Sequence, residues 1–226
     1  MYLFDSSFLI LIPALIISAI AQFKIKSTYH KYEKIYSKKG FTGYEVAKAI
    51  LRENNLNDVK VLETKGKLSD HYDPRSDIIR LSRDVYSDSS IASCSIAAHE
   101  VGHAIQHASN YFPITIRDAL VPVASFGSKS VWIFVMLGIF LSIPSLVQVG
   151  VFLFAGIVLF QIVTLPVEFN ASSRALVSLK GFNMLTSEEM KGAKKMLRAA
   201  AFTYVAATLV AISQLIRLLA LSNRRR

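Results

Sequence analysis

Three things are scarce in this 226-residue chain, and each scarcity narrows what the chain can be. Cysteine occurs once, as Cys94, which excludes an internal disulfide and fits a reducing compartment. With Ala92 and Ser95 beside it, that thiol reads as a buried structural group rather than a ligand or nucleophile. Internal repeats, low-complexity tracts and phosphate-binding glycine loops are absent, so neither a repeat array nor a glycine-loop nucleotide site is expected. Charge is missing over long stretches: none falls in residues 6–23, 130–167 or 199–216.

What is present in those stretches is hydrocarbon. The chain is 52% hydrophobic with a mean hydropathy of +0.39, high for a soluble protein. Residues 6–23 suffice for one spanning helix. Asp5 precedes them and Phe23-Lys24 follows, so a basic leader and a small-residue cleavage site are both lacking, and the segment reads as a retained anchor. Residues 130–167 suit two spans joined by a tight turn near Ser142 and Pro144. The apolar residues 119–128 allow the first of these to begin earlier, with Lys129 snorkelling. Residues 199–216 form a fourth candidate span.

The expected fold is therefore a mainly α integral membrane protein of about four transmembrane helices with a small α+β cytoplasmic domain. Its divisions are an anchor at 1–23, a cytoplasmic domain at 24–118, a transmembrane hairpin at 119–167, a cytoplasmic segment at 168–198, and a membrane helix with a basic tail at 199–226. Lys24, Lys26, Lys31, Lys34, Lys38 and Lys39 follow the first apolar run, whereas residues 1–7 carry only Asp5; basic residues favour the cytoplasmic side. The tail Asn223-Arg224-Arg225-Arg226 disagrees if the last helix spans. Either the tendency is overridden at the terminus, or that helix is buried or lies along the interface. The net charge of +10 comes with no nucleic-acid motif, so the bilayer is the expected partner and nucleic acid is not.

Within 24–118, Thr42 and Glu45 have the spacing of a capping box for a helix that Asn54-Asn55 should end. Val59 to Glu63 and Ile78 to Ser82 read as a pair of short strands, a hairpin or small sheet beside the motif helix. Their connection holds Ser69-Asp70-His71-Tyr72-Asp73-Pro74. Asp73-Pro74 signals a turn; His71 and Tyr72 also carry donors of the kind that steady an oxyanion, and an edge strand there could hold a substrate by backbone pairing.

His99-Glu100-Val101-Gly102-His103 is the pattern with the most chemistry. On a helix it sets two imidazoles one turn apart on one face, able to share a zinc ion, with a carboxylate placed to take a proton from zinc-activated water. Gly102 is a poor helix former, which points to close approach by another element. A catalytic zinc usually has three protein ligands. His107 lies two turns beyond His99, too far without bending the helix. Ser109 stands where the longer metzincin pattern needs its last histidine. Glu168, a lone carboxylate directly after an apolar run, fits the vacancy. Glu188 and Glu189 follow Thr186-Ser187 and read instead as the acidic first turn of another helix. Arg174, six residues past Glu168, could pair with a carboxylate, stabilise developing charge or anchor to headgroups.

Together, His71-Tyr72-Asp73-Pro74, Ile79-Arg80-Leu81-Ser82, the run from Ala98 to Gln106 and Leu165-Pro166-Val167-Glu168-Phe169 resemble the YugP-like family of bacterial membrane zinc metallopeptidases, and the likeness runs over most of the chain. The resemblance implies a multi-pass protein of the bacterial cell membrane. It implies one Zn2+ held by His99, His103 and Glu168, with Glu100 as general base in peptide-bond hydrolysis. In the family pattern an aspartate commonly stands at Asn170; asparagine keeps a hydrogen bond but loses charge, lowering the basicity of a ligand it orients. The family is in turn similar to the gluzincin peptidases. The expected function is thus a membrane-bound zinc endopeptidase whose site faces the cytoplasm and whose substrates are proteins or peptides near the bilayer. Two alternatives stand beside it. A metal-binding protein without peptidase activity would not need Glu100, and a catalytically silent scaffold would hold no zinc.

Overall fold

The computed structural model describes residues 6–223. Residues 1–5 and 224–226, which include Asp5 and the three arginines of the tail, lie outside the described residues. A short 3-10 helix (Ser6–Ile10) leads into α1 (Leu11–Tyr32), followed by α2 (Gly43–Glu53), β1 (Lys60–Thr64), β2 (His71–Asp73), β3 (Ile78–Ser82), α3 (Arg83–Ser87), α4 (Ile91–Ala108), α5 (Phe112–Phe140), α6 (Pro144–Gly181) and α7 (Ser187–Asn223). Four stretches are long and apolar enough to cross a membrane: Ser7–Tyr32, Phe112–Phe140, Pro144–Gly181 and Ser187–Ser222. Among the described residues the chain is thus mainly helical, with four long apolar helices and one small sheet.

The helices outrun the apolar segments that announce them. α5 starts at Phe112 rather than near residue 119, and α6 continues through Pro166 to Gly181 without a break at residue 167. α7 starts at Ser187, where the Glu189 carboxylate accepts from the Thr186 amide at 2.7 Å and the Glu189 amide donates back to the Thr186 hydroxyl at 3.4 Å. That reciprocal cap places Glu188 and Glu189 in an acidic first turn, as their spacing predicts.

The chain divides into two compact units. One comprises Met1–Gln22, Phe112–Pro166 and Phe202–Arg226. It is built from apolar helices whose large side chains point outward in number; Phe140 and Phe152 are 76% and 80% exposed, a distribution suited to a hydrocarbon solvent. Inside it, Val131, Val135 and Leu218 form a small buried cluster. α5 and α6 join through a tight turn at residues 141–143, with Ser142 at φ 55° and Pro144 opening α6; proline suits a first helical position because its missing N–H has no intrahelical partner there. Gly150 lets α6 come close to α5, since a Cβ there would stand 2.5 Å from the Val135 Cγ2.

The other unit comprises Phe23–Tyr111 and Val167–Ala201. α2 is amphipathic and buries Val46, Ala47, Ile50 and Leu51, and its capping box pairs Thr42 with Glu45 in both directions. Asn54 caps its C-terminus and Asn55 turns the chain at φ 57°. Side chains from α2, the sheet, α4, α6 and α7 share one buried core that includes Ile79, Leu81, Val101, Ala175, Leu179 and Leu197.

The sheet departs from a simple hairpin. Its order is β1-β3-β2: β1 and β3 pair in parallel, Val61 opposite Ile79, and β2 pairs antiparallel with β3, Tyr72 opposite Ile79. The His71 segment, expected as a turn, is itself the strand that folds back on β3. β1 therefore takes the other edge of β3, and residues 65–77 provide the long connection that a parallel pair requires. The Asp70 carboxylate secures this path by accepting from the Ser82 amide at 2.7 Å and the Ser82 hydroxyl at 3.0 Å. Burial raises the Asp70 pKa, and the Ser82 hydrogen bonds oppose that shift.

Candidate metal centre

α4 begins at Ser90, whose hydroxyl accepts from the Ser93 amide. It carries His99, Glu100 and His103 into the interior of the second unit. The imidazoles of His99 and His103 stand edge to face with centroids 4.8 Å apart. α6 brings Glu168 to them: one carboxylate oxygen is 3.3 Å from His99 Nε2 and the other 3.7 Å from His103 Nε2. The three side chains are 14%, 12% and 6% exposed, and one donor atom from each lies within 4.8 Å of the others.

The close approach of α4 and α6 depends on Gly102. A Cβ at that position would fall 2.6 Å from the Ala171 carbonyl oxygen, a backbone atom that cannot rotate away. The helix-weakening glycine of the motif thus finds the neighbouring element it calls for.

Gln106 settles which nitrogen of His103 faces the acid. Its Nε2 donates to the Val167 carbonyl at 2.8 Å and to the Asn170 Oδ1 at 3.0 Å. A carbonyl can only accept, so the Gln106 Oε1 is the atom turned to His103 Nδ1, 3.0 Å away. That oxygen also only accepts. His103 Nδ1 therefore carries the hydrogen, and the lone pair of the neutral ring sits on Nε2, beside Glu168. His99 Nδ1 lies 3.3 Å from the Ser172 hydroxyl, a group able to accept its hydrogen in the same way. Gln106 and Ser172 are both buried.

Electrostatics show that the enclosed group of side chains attracts positive charge. Burial alone lowers the pKa of His99, but the Glu168 hydrogen bond and the charges of Glu100 and Glu168 outweigh it and the pKa rises. Glu100 is pushed up to about 7, first by burial and then by Asp70 and Glu168, against the pull of His99 and of a hydrogen bond from the Tyr72 amide. Two carboxylates enclosed with two imidazoles demand positive charge, from protons or from a metal cation. Two imidazole Nε2 atoms and one carboxylate are the donor set that zinc takes in His₂Glu sites, and the orientation fixed by Gln106 suits a metal ligand.

The remaining residues singled out in the sequence are placed differently. His71 is exposed on β2, its Nδ1 2.8 Å from the Ser69 carbonyl. The Tyr72 hydroxyl donates to Asp77 at 2.7 Å, so Tyr72 meets Glu100 through its main chain, not its phenol. Asn170 touches no member of the His, His, Glu set through the hydrogen bonds described. Its Oδ1 accepts from Gln106 and, at 2.7 Å, from Arg174 Nε. Arg174 also reaches the Ser109 hydroxyl at 3.3 Å and lies over the Tyr111 ring, bracing α6 against the end of α4. His107 stands beside the Tyr72 ring, with centroids 5.5 Å apart, outside the ligand set. Cys94 is buried and its thiol, pushed by burial up to about 12, donates to the Phe41 carbonyl at 3.3 Å; it is structural, as its surroundings suggest. Gln106 and Ser172 escape sequence reasoning. Gln106 had one visible signal, an amide three residues past His103 on the motif helix.

Fold and site together define a protein with four apolar helices and a candidate zinc centre of two histidines and one glutamate. The chain belongs to the family described as "Putative neutral zinc metallopeptidase", whose model matches residues 7–223. It is also 45% identical over 206 residues, 91% of this chain and 92% of the relative, to the "Putative membrane protease YugP" of Bacillus subtilis (strain 168). No solved structure matches it.

Proposed function

We propose that the protein is a membrane-bound zinc endopeptidase. The observation that carries this reading is the convergence of both Nε2 atoms on the Glu168 carboxylate, at 3.3 and 3.7 Å, with Glu100 next in the chain. His99, His103 and Glu168 would hold one Zn2+, whose chemistry is Lewis-acid polarisation of a scissile carbonyl and acidification of water.

The protein side of the reaction follows from placement. Glu100, buried and bonded to the Tyr72 amide, accepts a proton from the attacking water and passes it to the leaving amine, and its raised pKa brings it close to the working range of a general acid and base. Gln106 and Ser172 keep both imidazoles turned toward Glu168. β2 is an edge of the sheet, so an extended peptide can lie along it by backbone pairing. The four apolar helices of the chain favour peptides or proteins at the bilayer as substrates. Because the basic residues from Lys24 to Lys39 follow the first apolar helix, the site is assigned to the cytoplasmic side.

The Glu100→Gln variant tests the assignment. Peptide hydrolysis by the full chain in lipid nanodiscs is expected to fall by at least about a thousandfold, as befits loss of the acid-base group. Zinc measured by atomic emission should remain near one per chain. Unchanged turnover would sink the reading, and a zinc-free parent protein would favour a scaffold.

A further inference from the structure

Away from the candidate metal centre, the second unit holds a cavity of about 510 Å3 lined by α1 and α7. Lys24 and Lys31 come to it from α1, Lys195 and Arg198 from α7, and Ser27 and Thr28 add hydroxyls. No carboxylate belongs to this lining among the described residues. Tyr32 forms part of the wall. Its ring lies so close to Gly192 that a Cβ there would come within 2.7 Å of it, and the Lys31 ammonium stands 5.7 Å from the ring centroid. Four cations around one concavity repel each other, and a bound anion relieves that repulsion.

Position along the two helices indicates which anion. Lys24 is the first charge after the uncharged residues 6–23, and Arg198 is the last charge before the uncharged residues 199–216. The cavity therefore collects the boundary residues of two separate apolar runs. When such helices cross a bilayer, that boundary is the level of the headgroup phosphates, and basic pockets between helices hold anionic headgroups there. A soluble anion gives no reason for the two boundaries to coincide at one cavity.

We propose that this cavity binds the phosphodiester of an anionic phospholipid of the phosphatidylglycerol class, with the Lys and Arg groups on the phosphate, the Thr28 hydroxyl toward the glycerol, and the Ser27 hydroxyl, which donates to the Lys24 carbonyl at 3.1 Å, acting there only as an acceptor. The site is separate from the peptidase reading and stands or falls without it. The test is native mass spectrometry of the full chain released from detergent containing equal amounts of phosphatidylglycerol and phosphatidylcholine. The parent protein should retain phosphatidylglycerol in preference. Lys195→Gln with Arg198→Gln should lower the retention ratio roughly thirtyfold at low ionic strength, the effect of two surface cations. Lys24→Gln with Lys31→Gln, on the other helix, should lower it similarly. Lys38→Gln with Lys39→Gln removes the same charge from exposed residues outside the cavity and should leave the ratio unchanged. Equal loss in all three double variants, or no preference in the parent, overturns the proposal. Displacement of the lipid by glycerol 1-phosphate at matched concentration overturns the lipid assignment and leaves a soluble phosphate site.

Discussion

Two glycines at close helix contacts, one in each unit, work in opposite ways. Gly150, in the apolar unit, faces the methyl group of Val135; Gly102, in the unit with the histidines, faces the main-chain carbonyl of Ala171. The first contact is van der Waals fit, which is what would join apolar helices in a bilayer, where no hydrophobic driving force acts between them. The second fixes the spacing at which donor atoms from α4 and α6 meet. A side chain can yield by a few tenths of an ångström, but a carbonyl within a helix cannot do so without moving the helix. A small residue thus serves cohesion at the first contact and registration at the second.

Substitutions can break or sharpen that contrast. Gly102→Ala is expected to have the largest effect, about 3 kcal/mol from overpacking against a fixed carbonyl, seen as a lowered unfolding midpoint together with loss of zinc from the purified chain. Retention of full zinc content would show that registration does not depend on this contact. Gln106→Leu should come next. It removes the partner of His103 Nδ1 and the donor to Val167 and Asn170, and zinc affinity measured by chelator competition should fall roughly 10- to 100-fold. Gly150→Ala should destabilise by about 1 kcal/mol, the low end of overpacking, and leave zinc binding unchanged; a zinc defect here would erase the distinction between the two contacts. Asn170→Asp is the mildest. A carboxylate can accept from both Gln106 and Arg174 as the amide oxygen does, so zinc affinity should rise by less than about tenfold, within the range of effects transmitted by groups outside the ligand set.

Much of the candidate site was legible because its chemistry is local. His99, Glu100 and His103 lie within five residues, and the caps at Thr42 and Thr186 are set by spacings of three. Glu168 was visible for a different reason, as a carboxylate standing alone after an apolar run. The parallel pairing of β1 with β3 was not legible, because nothing in Val59 to Glu63 encodes strand direction and the intervening His71 segment looks like a turn. Composition did not show that α6 and α7 run unbroken between apolar and polar residues, although the acidic turn at Glu188 and Glu189 marked where α7 starts. The roles of Gln106 and Ser172 were hidden because each rests on contacts across more than 60 residues, set by how α4 meets α6.

The Val167 carbonyl carries a consequence for how such a site drifts over generations. It fixes the direction of the Gln106 amide, which fixes the hydrogen on His103 Nδ1. Every L-amino acid at position 167 supplies the same carbonyl. The choice of tautomer is therefore shielded from point mutation at its origin and exposed to it only at Gln106. Residue 167 can change identity freely as far as this directional cue is concerned, whereas residue 106 must keep an acceptor and a donor on one side chain of fixed length.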